Sequence, residues 1–182
     1  MQRFHQQFDL PPVPVHLWPK TNNAKLLFSN KSEVVKRNGG ALQSDHYKRY
    51  EIHSDLEAWV KQNITDNYCN IGLAKMSDGP VNLPHTDTTR EYTLLYLFET
   101  GGPAVETKFW RLPSDTITNR LDFRPTDCDQ LELLATIVLD PHQWYLLDAR
   151  TIHSVENKVS DRVSLQLGFM ADSAWIQRYS TI

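Results

Sequence analysis

From Tyr68 onward, apolar residues fall in short runs separated by turn formers. The runs are YCNIGLAKM, EYTLLYLFE, PAVETKFW, ELLATIVL, QWYLLD, TIHSVE and RVSLQLGFM, with Gly79-Pro80, Gly101-Gly102 and Pro141 among the breaks. Each is short enough for a strand, and no long helical segment intervenes to carry a parallel crossover. The pattern therefore predicts an antiparallel sandwich or jelly roll. In the last run Val163, Leu165, Leu167 and Phe169 alternate with Arg162, Ser164, Gln166 and Gly168, so a strand there would show one apolar face and one polar face. Residues 111–130 break the pattern. They are polar, contain Pro113 and Pro125, and read as a functional or flexible excursion.

The front of the chain has a different texture. Residues 10–19, LPPVPVHLWP, hold four prolines that remove amide donors and favour extended backbone, which predicts a wrapping arm. Residues 36–45, KRNGGALQSD, read as a loop. In HSDLEAWVKQNI, Ser54 and Glu57 have capping-box spacing, and Leu56, Trp59, Val60 and Ile64 share one helical face, which predicts a supporting helix. The expected organisation is a single domain over 1–182, with an arm and helix in 1–66 and a strand-rich catalytic core in 67–172.

Length and charge narrow the classes. A chain of 182 residues supports one substantial core and is too short for two. A net charge of −3 and an isoelectric point near 6.1 give no overall attraction to nucleic acid or an anionic membrane, so neither is expected as a partner. The two cysteines, Cys69 and Cys128, form neither a metal-type spacing nor a disulfide framework, which points to a reducing, cytoplasmic location. No apolar run approaches the roughly 18 to 20 residues of a membrane span, and the opening MQRFHQQFDLPPVPV lacks the apolar centre of a signal peptide.

Candidate chemistry lies in NLPHTDTTREYTLLYLF. On an extended strand, side chains at i and i+2 project together, so His85 and Asp87 could share a metal such as Fe(II), Zn(II) or Mn(II). Alone, a His-x-Asp also fits an ordinary surface turn. A third ligand is offered by His153 in TIHSVE, which a jelly roll can bring alongside, and two histidines with one carboxylate form a facial triad with open coordination positions. His5, His16, His46, His53 and His142 show no comparable arrangement and read as structural or solvated. Nine residues past His153, Arg162 and Ser164 face the same way and could clamp the far end of a dicarboxylate. The competing reading pairs Arg162 with a neighbouring acid, Asp161 or Glu156.

Taken in order, His85, Asp87, His153, Arg162 and Ser164, together with REYTLLYLFETGG and ETKFW, resemble the Fe(II)/2-oxoglutarate-dependent dioxygenases, in particular their prolyl-hydroxylase-like members. The resemblance covers roughly residues 70–170. It implies a mainly β fold, a double-stranded β-helix of the jelly-roll or cupin type with one or more supporting N-terminal helices. It implies iron held by His85, Asp87 and His153, 2-oxoglutarate chelating that iron while Arg162 and Ser164 hold its C5 carboxylate, and O2 as the second cosubstrate, with ascorbate as a supporting reductant. The implied reaction releases succinate and CO2 and hydroxylates a small-molecule, amino-acid or peptide substrate. Where many relatives carry a cosubstrate-contacting Tyr four residues after the strand Thr, this chain has Leu97 after Thr93, with Tyr96 on the opposite strand face, so no tyrosine is assigned. Arg90, Trp110, Arg111, Arg120 and Arg124 are candidate substrate contacts, set against a plain packing or solvated role. Two other classes stay open: a zinc hydrolase, which leaves Arg162 and Ser164 without a task, and a non-catalytic jelly-roll module with a structural metal, which normally needs four protein ligands.

Overall fold

A computed structural model describes residues 4–19, 47–77, 82–87, 89–113 and 131–179. Among the described residues ten strands run in chain order: β1 (His5–Phe8), β2 (Tyr47–Tyr50), β3 (Asn70–Met76), β4 (Asn82–His85), β5 (Tyr92–Thr100), β6 (Glu106–Arg111), β7 (Glu132–Val138), β8 (Trp144–Asp148), β9 (Ile152–Glu156) and β10 (Arg162–Phe169). Helix α1 (Ser54–Asn63) precedes β3, and a short α2 (Ala174–Tyr179) follows β10.

The strands form two antiparallel sheets, a six-stranded one in the order β1-β8-β5-β10-β3-β2 and a four-stranded one in the order β4-β9-β6-β7. From β3 onward the chain changes sheet at every connection except the β6–β7 hairpin. That winding is a double-stranded β-helix, and it sets sequence-distant strands side by side. Two apolar layers result. The outward face of the large sheet carries Leu73, Leu94, Tyr96, Trp144, Leu165, Leu167 and Phe169, covered by Leu56 and Val60 of α1, Trp175 and Ile176 of α2, and Val13 of the arm. Between the sheets lies a smaller cluster of Leu95, Leu97, Phe109, Leu139, Tyr145 and Leu147.

The proline-rich arm wraps as its composition predicts. Trp144 Nε1 donates to Pro11 O (2.9 Å), Trp18 Nε1 donates to Val13 O (2.7 Å), and the Trp18 ring stands edge-on to Phe98. The supporting helix is present, but its cap differs from the expectation. His53 is the N-cap, its Nδ1 accepting from the Asp55 amide, while Glu57 is engaged by Lys61 and Tyr68. A carboxylate with two side-chain donors has no need to reach back to the helix start. Strands β1, β2 and β4 extend the sheets beyond the runs read from sequence. The loop at 36–45, the Gly79-Pro80 break, His46 and the excursion from 114 onward, with Arg120, Arg124 and Cys128, lie outside the described residues. Among the described residues no helix is long and apolar enough to cross a membrane.

Candidate metal centre

His85 ends β4 and pairs in register with His153 of β9, so the two imidazoles are cross-strand neighbours with ring centroids 4.5 Å apart. Asp87 lies past the strand end. The Asp87 amide donates to Ala149 O (3.1 Å), and Thr86 between the two ligands is fully buried. Ligand atoms of His85, Asp87 and His153 all lie within 4.8 Å of one another, close enough to share one metal ion. The side chains of His85 and Asp87 are 12% and 15% exposed, so one side of the group reaches solvent.

Hydrogen bonds fix which atoms face the centre. His153 Nδ1 lies 2.9 Å from Thr151 O. A carbonyl can only accept, so Nδ1 carries the proton and Nε2 keeps its lone pair for a metal. On Asp87, Oδ2 accepts from Arg90 Nε (2.5 Å) and from Thr93 Oγ1 (3.4 Å), while Oδ1 faces His85 Nε2 at 3.9 Å. Burial alone would push this carboxyl up. The charges of Arg90, His153 and His85 and the Arg90 hydrogen bond outweigh burial, and Asp87 sits well below the usual carboxylate range. Such a group is an anion at neutral pH, as a metal ligand must be.

Arg90 was a candidate substrate contact in the sequence, and the structure gives it other partners. Besides Asp87 it donates through Nη2 to Gln166 Oε1 (3.0 Å). Gly168 makes room for it, since a Cβ there would come within 2.8 Å of Arg90 Cδ. Trp110 Nε1 donates to Ser154 Oγ on the outward face of the small sheet, and Arg111 forms a half-exposed pair with Glu132. Gln166 is the residue that sequence reasoning left without a task. Its signal was its position on the Arg162 and Ser164 face of β10.

Arg162 is 4% exposed and opens the polar face of β10, which looks between the sheets. Its hydrogen bonds within the described residues are long ones, Nη1 to Thr100 O and Nη2 to Thr107 Oγ1, both 3.5 Å. The two acids weighed against it in the sequence are committed elsewhere: Asp161 binds Lys75 Nζ (2.5 Å) and Glu156 binds Lys108 Nζ (2.5 Å). Burial pulls the guanidinium down to about 10, which still leaves it charged at neutral pH. Thr107 is two residues from Phe109 on β6, and Phe109 registers with His153. One same-face strand step, roughly 6.7 Å, therefore separates the rung of the metal ligand from the rung of the guanidinium.

No protein-family model matches the chain, and no curated protein does. Among solved structures, the X-ray structure of E. coli ycfD is similar at 12% identity with a TM-score of 0.48, over 75% of this chain and 38% of that one. A 7S globulin from Momordica charantia is similar at 12% identity with a TM-score of 0.39, over 72% of this chain and 32% of that one. The chain thus spans 38% and 32% of the lengths of those two proteins.

Proposed function

We propose that the protein is an Fe(II)- and 2-oxoglutarate-dependent dioxygenase that hydroxylates a small-molecule, amino-acid or peptide substrate. The observation that carries this reading is Arg162, a buried guanidinium without a carboxylate beside it among the described residues, one strand step from a two-histidine, one-carboxylate group. An uncompensated buried cation is costly, and folds keep one where a ligand supplies the missing anion. A structural metal site or a zinc hydrolase has no use for it.

In this reading His85, Asp87 Oδ1 and His153 Nε2 hold the iron, and Arg162 and Ser164 hold the distal carboxylate of 2-oxoglutarate. When bound, iron with its cosubstrate and O2 supplies the oxidising chemistry that yields succinate, CO2 and hydroxylated product. The chain's own work is positional. Arg90 anchors Asp87 Oδ2 so that Oδ1 stays turned inward, Thr151 fixes the His153 tautomer, and Leu97 and Phe109 wall the interior against water.

The test uses purified protein with Fe(II), 2-oxoglutarate and ascorbate. Slow succinate formation and O2 uptake are expected even without the substrate, and His153→Ala should lose both along with most iron binding while staying folded. If anaerobic titration shows no 2-oxoglutarate binding to the iron-loaded chain, the oxygenase reading fails. Hydrolytic turnover with zinc would then favour the zinc enzyme.

A further inference from the structure

The polar face of β10 continues past Arg162 through Ser164 and Gln166, all three buried. Gln166 bridges two groups that the proposed reaction uses separately. Its Oε1 accepts from Arg90 Nη2 (3.0 Å), and its Nε2 donates to Ser164 Oγ (3.2 Å). Arg90 in turn donates from Nε to Asp87 Oδ2. The chain of contacts is thus Asp87, Arg90, Gln166, Ser164, and each link has a forced direction. A guanidinium has donors only, so the atom of Gln166 facing it must be the carbonyl oxygen, and the amide NH2 end must face Ser164. Ser164 Oγ is then occupied as an acceptor. Its one hydroxyl proton has no acceptor among the described residues and is left to point away from Gln166, into the space between the sheets that Arg162 also faces.

We infer that Gln166 is a positioning residue that fixes Ser164 as a hydrogen-bond donor to the distal carboxylate of the cosubstrate, with Arg90 transmitting the orientation from the metal-binding carboxylate. This rests on the oxygenase reading, and it adds a direction to it. Without Gln166 a serine hydroxyl can rotate and donate to a neighbouring carbonyl. With Gln166 held by Arg90, its donor function is reserved for an anion. The same arrangement explains why a polar amide is kept where the opposite strand face carries only apolar side chains: a satisfied buried network specifies one geometry.

The experiment measures binding by calorimetry to iron-loaded protein without O2, using 2-oxoglutarate and, as the probe that chelates iron but lacks a distal carboxylate, 2-oxobutyrate. Wild type should prefer 2-oxoglutarate. If it binds 2-oxoglutarate no better than 2-oxobutyrate, the clamp and this inference fall together. Gln166→Glu keeps the bond to Arg90 but turns the other end into an acceptor, which captures the Ser164 proton. It should weaken 2-oxoglutarate about tenfold or more and leave 2-oxobutyrate unchanged. Charge repulsion alone would also weaken the diacid, so Ser164→Ala is added in both backgrounds. Repulsion leaves Ser164's contribution intact. Our inference requires that Ser164→Ala cost affinity in wild type and nothing further in Gln166→Glu. Equal losses in the two backgrounds, or equal weakening of both probes, would overturn it. Should the new carboxylate prevent folding, Gln166→Met, which frees the serine rotor and also gives up the acceptor for Arg90, is expected to weaken 2-oxoglutarate severalfold and to leave 2-oxobutyrate unchanged, and wild-type 2-oxoglutarate affinity in that variant would overturn it as well.

Discussion

On its outward face β10 sets Val163, Leu165, Leu167 and Phe169 into one apolar cluster with Val60, Trp144 and Trp175. On its inward face the same eight residues place Arg162, Ser164 and Gln166 between the sheets. Both faces are equally removed from water, yet they behave differently in energy. Apolar burial is favourable without partners, at roughly 25 cal/mol per Å². Buried polar groups are favourable only when each one is satisfied, and among the described residues Arg162 has two long contacts. One strand therefore holds the fold together with one side and spends part of that stability with the other. The comparison teaches where to look for function in this chain: at burial that the fold alone would not select.

Breaking the outward face should give the larger effect. Leu165 is fully buried at the centre of its cluster, and Leu165→Ala should lower unfolding free energy by about 2 to 5 kcal/mol, read by denaturant titration. The folded fraction should bind 2-oxoglutarate as wild type does. If the outward truncation weakened the ligand while sparing stability, the division between the faces would be wrong.

The inward face should show the reverse. Arg162→Ala should weaken 2-oxoglutarate about tenfold to a hundredfold, the loss of a charge-assisted contact worth roughly 1.5 to 3 kcal/mol, with Fe(II) affinity nearly unchanged. Arg162→Lys should recover only part, because the charge returns without the fork. Thermal unfolding of the ligand-free protein sharpens the point, since removing a buried cation that has no carboxylate beside it among the described residues should not lower stability. Unchanged affinity in folded Arg162→Ala protein would sink the clamp.

Much of this contrast was legible in the sequence. A period of two over RVSLQLGF separates the faces of β10, and strand pairing then follows from which side is apolar. The ordered spacing of His85, Asp87 and His153 pointed to residues that the fold does bring together. The arm was readable because proline restricts backbone wherever it occurs. What escaped depends on partners. Strand β1 is HQQF, without apolar alternation, and it exists because its backbone pairs with β8. Arg90 looked like any polar-loop arginine, since nothing in the string shows that its Nε reaches Asp87 Oδ2. Gln166 carried a position but no chemistry until Arg90 supplied a direction. The small sheet hid Thr107 in the same way, as one more buried threonine until Arg162 reached across to it.

The smallest effect expected is a signed dependence on acid, and it tests the metal end of the inward face without any metal. Burial raises the Asp87 carboxyl, and Arg90, His153 and His85 more than reverse this, so its folded pKa lies below the ordinary 3.8. Between the folded and unfolded values the unfolded chain binds more protons, so this carboxylate adds stability that is fully present above about pH 4 and is lost as pH falls through that window. Arg162 cannot imitate the signal, because its folded value of about 10 confines its titration to alkaline pH. In the metal-free protein, thermal midpoints of wild type and Asp87→Asn should therefore differ by a constant amount near neutrality and converge as pH drops below about 4. Convergence is expected because protonating wild-type Asp87 removes the same anion that the substitution removes, leaving Arg90 without its charged partner in both. A gap that stays constant down to the acid limb would mean that Arg90 does not hold Asp87 as an anion, and the orientation of Oδ1 toward the histidines would lose its physical basis.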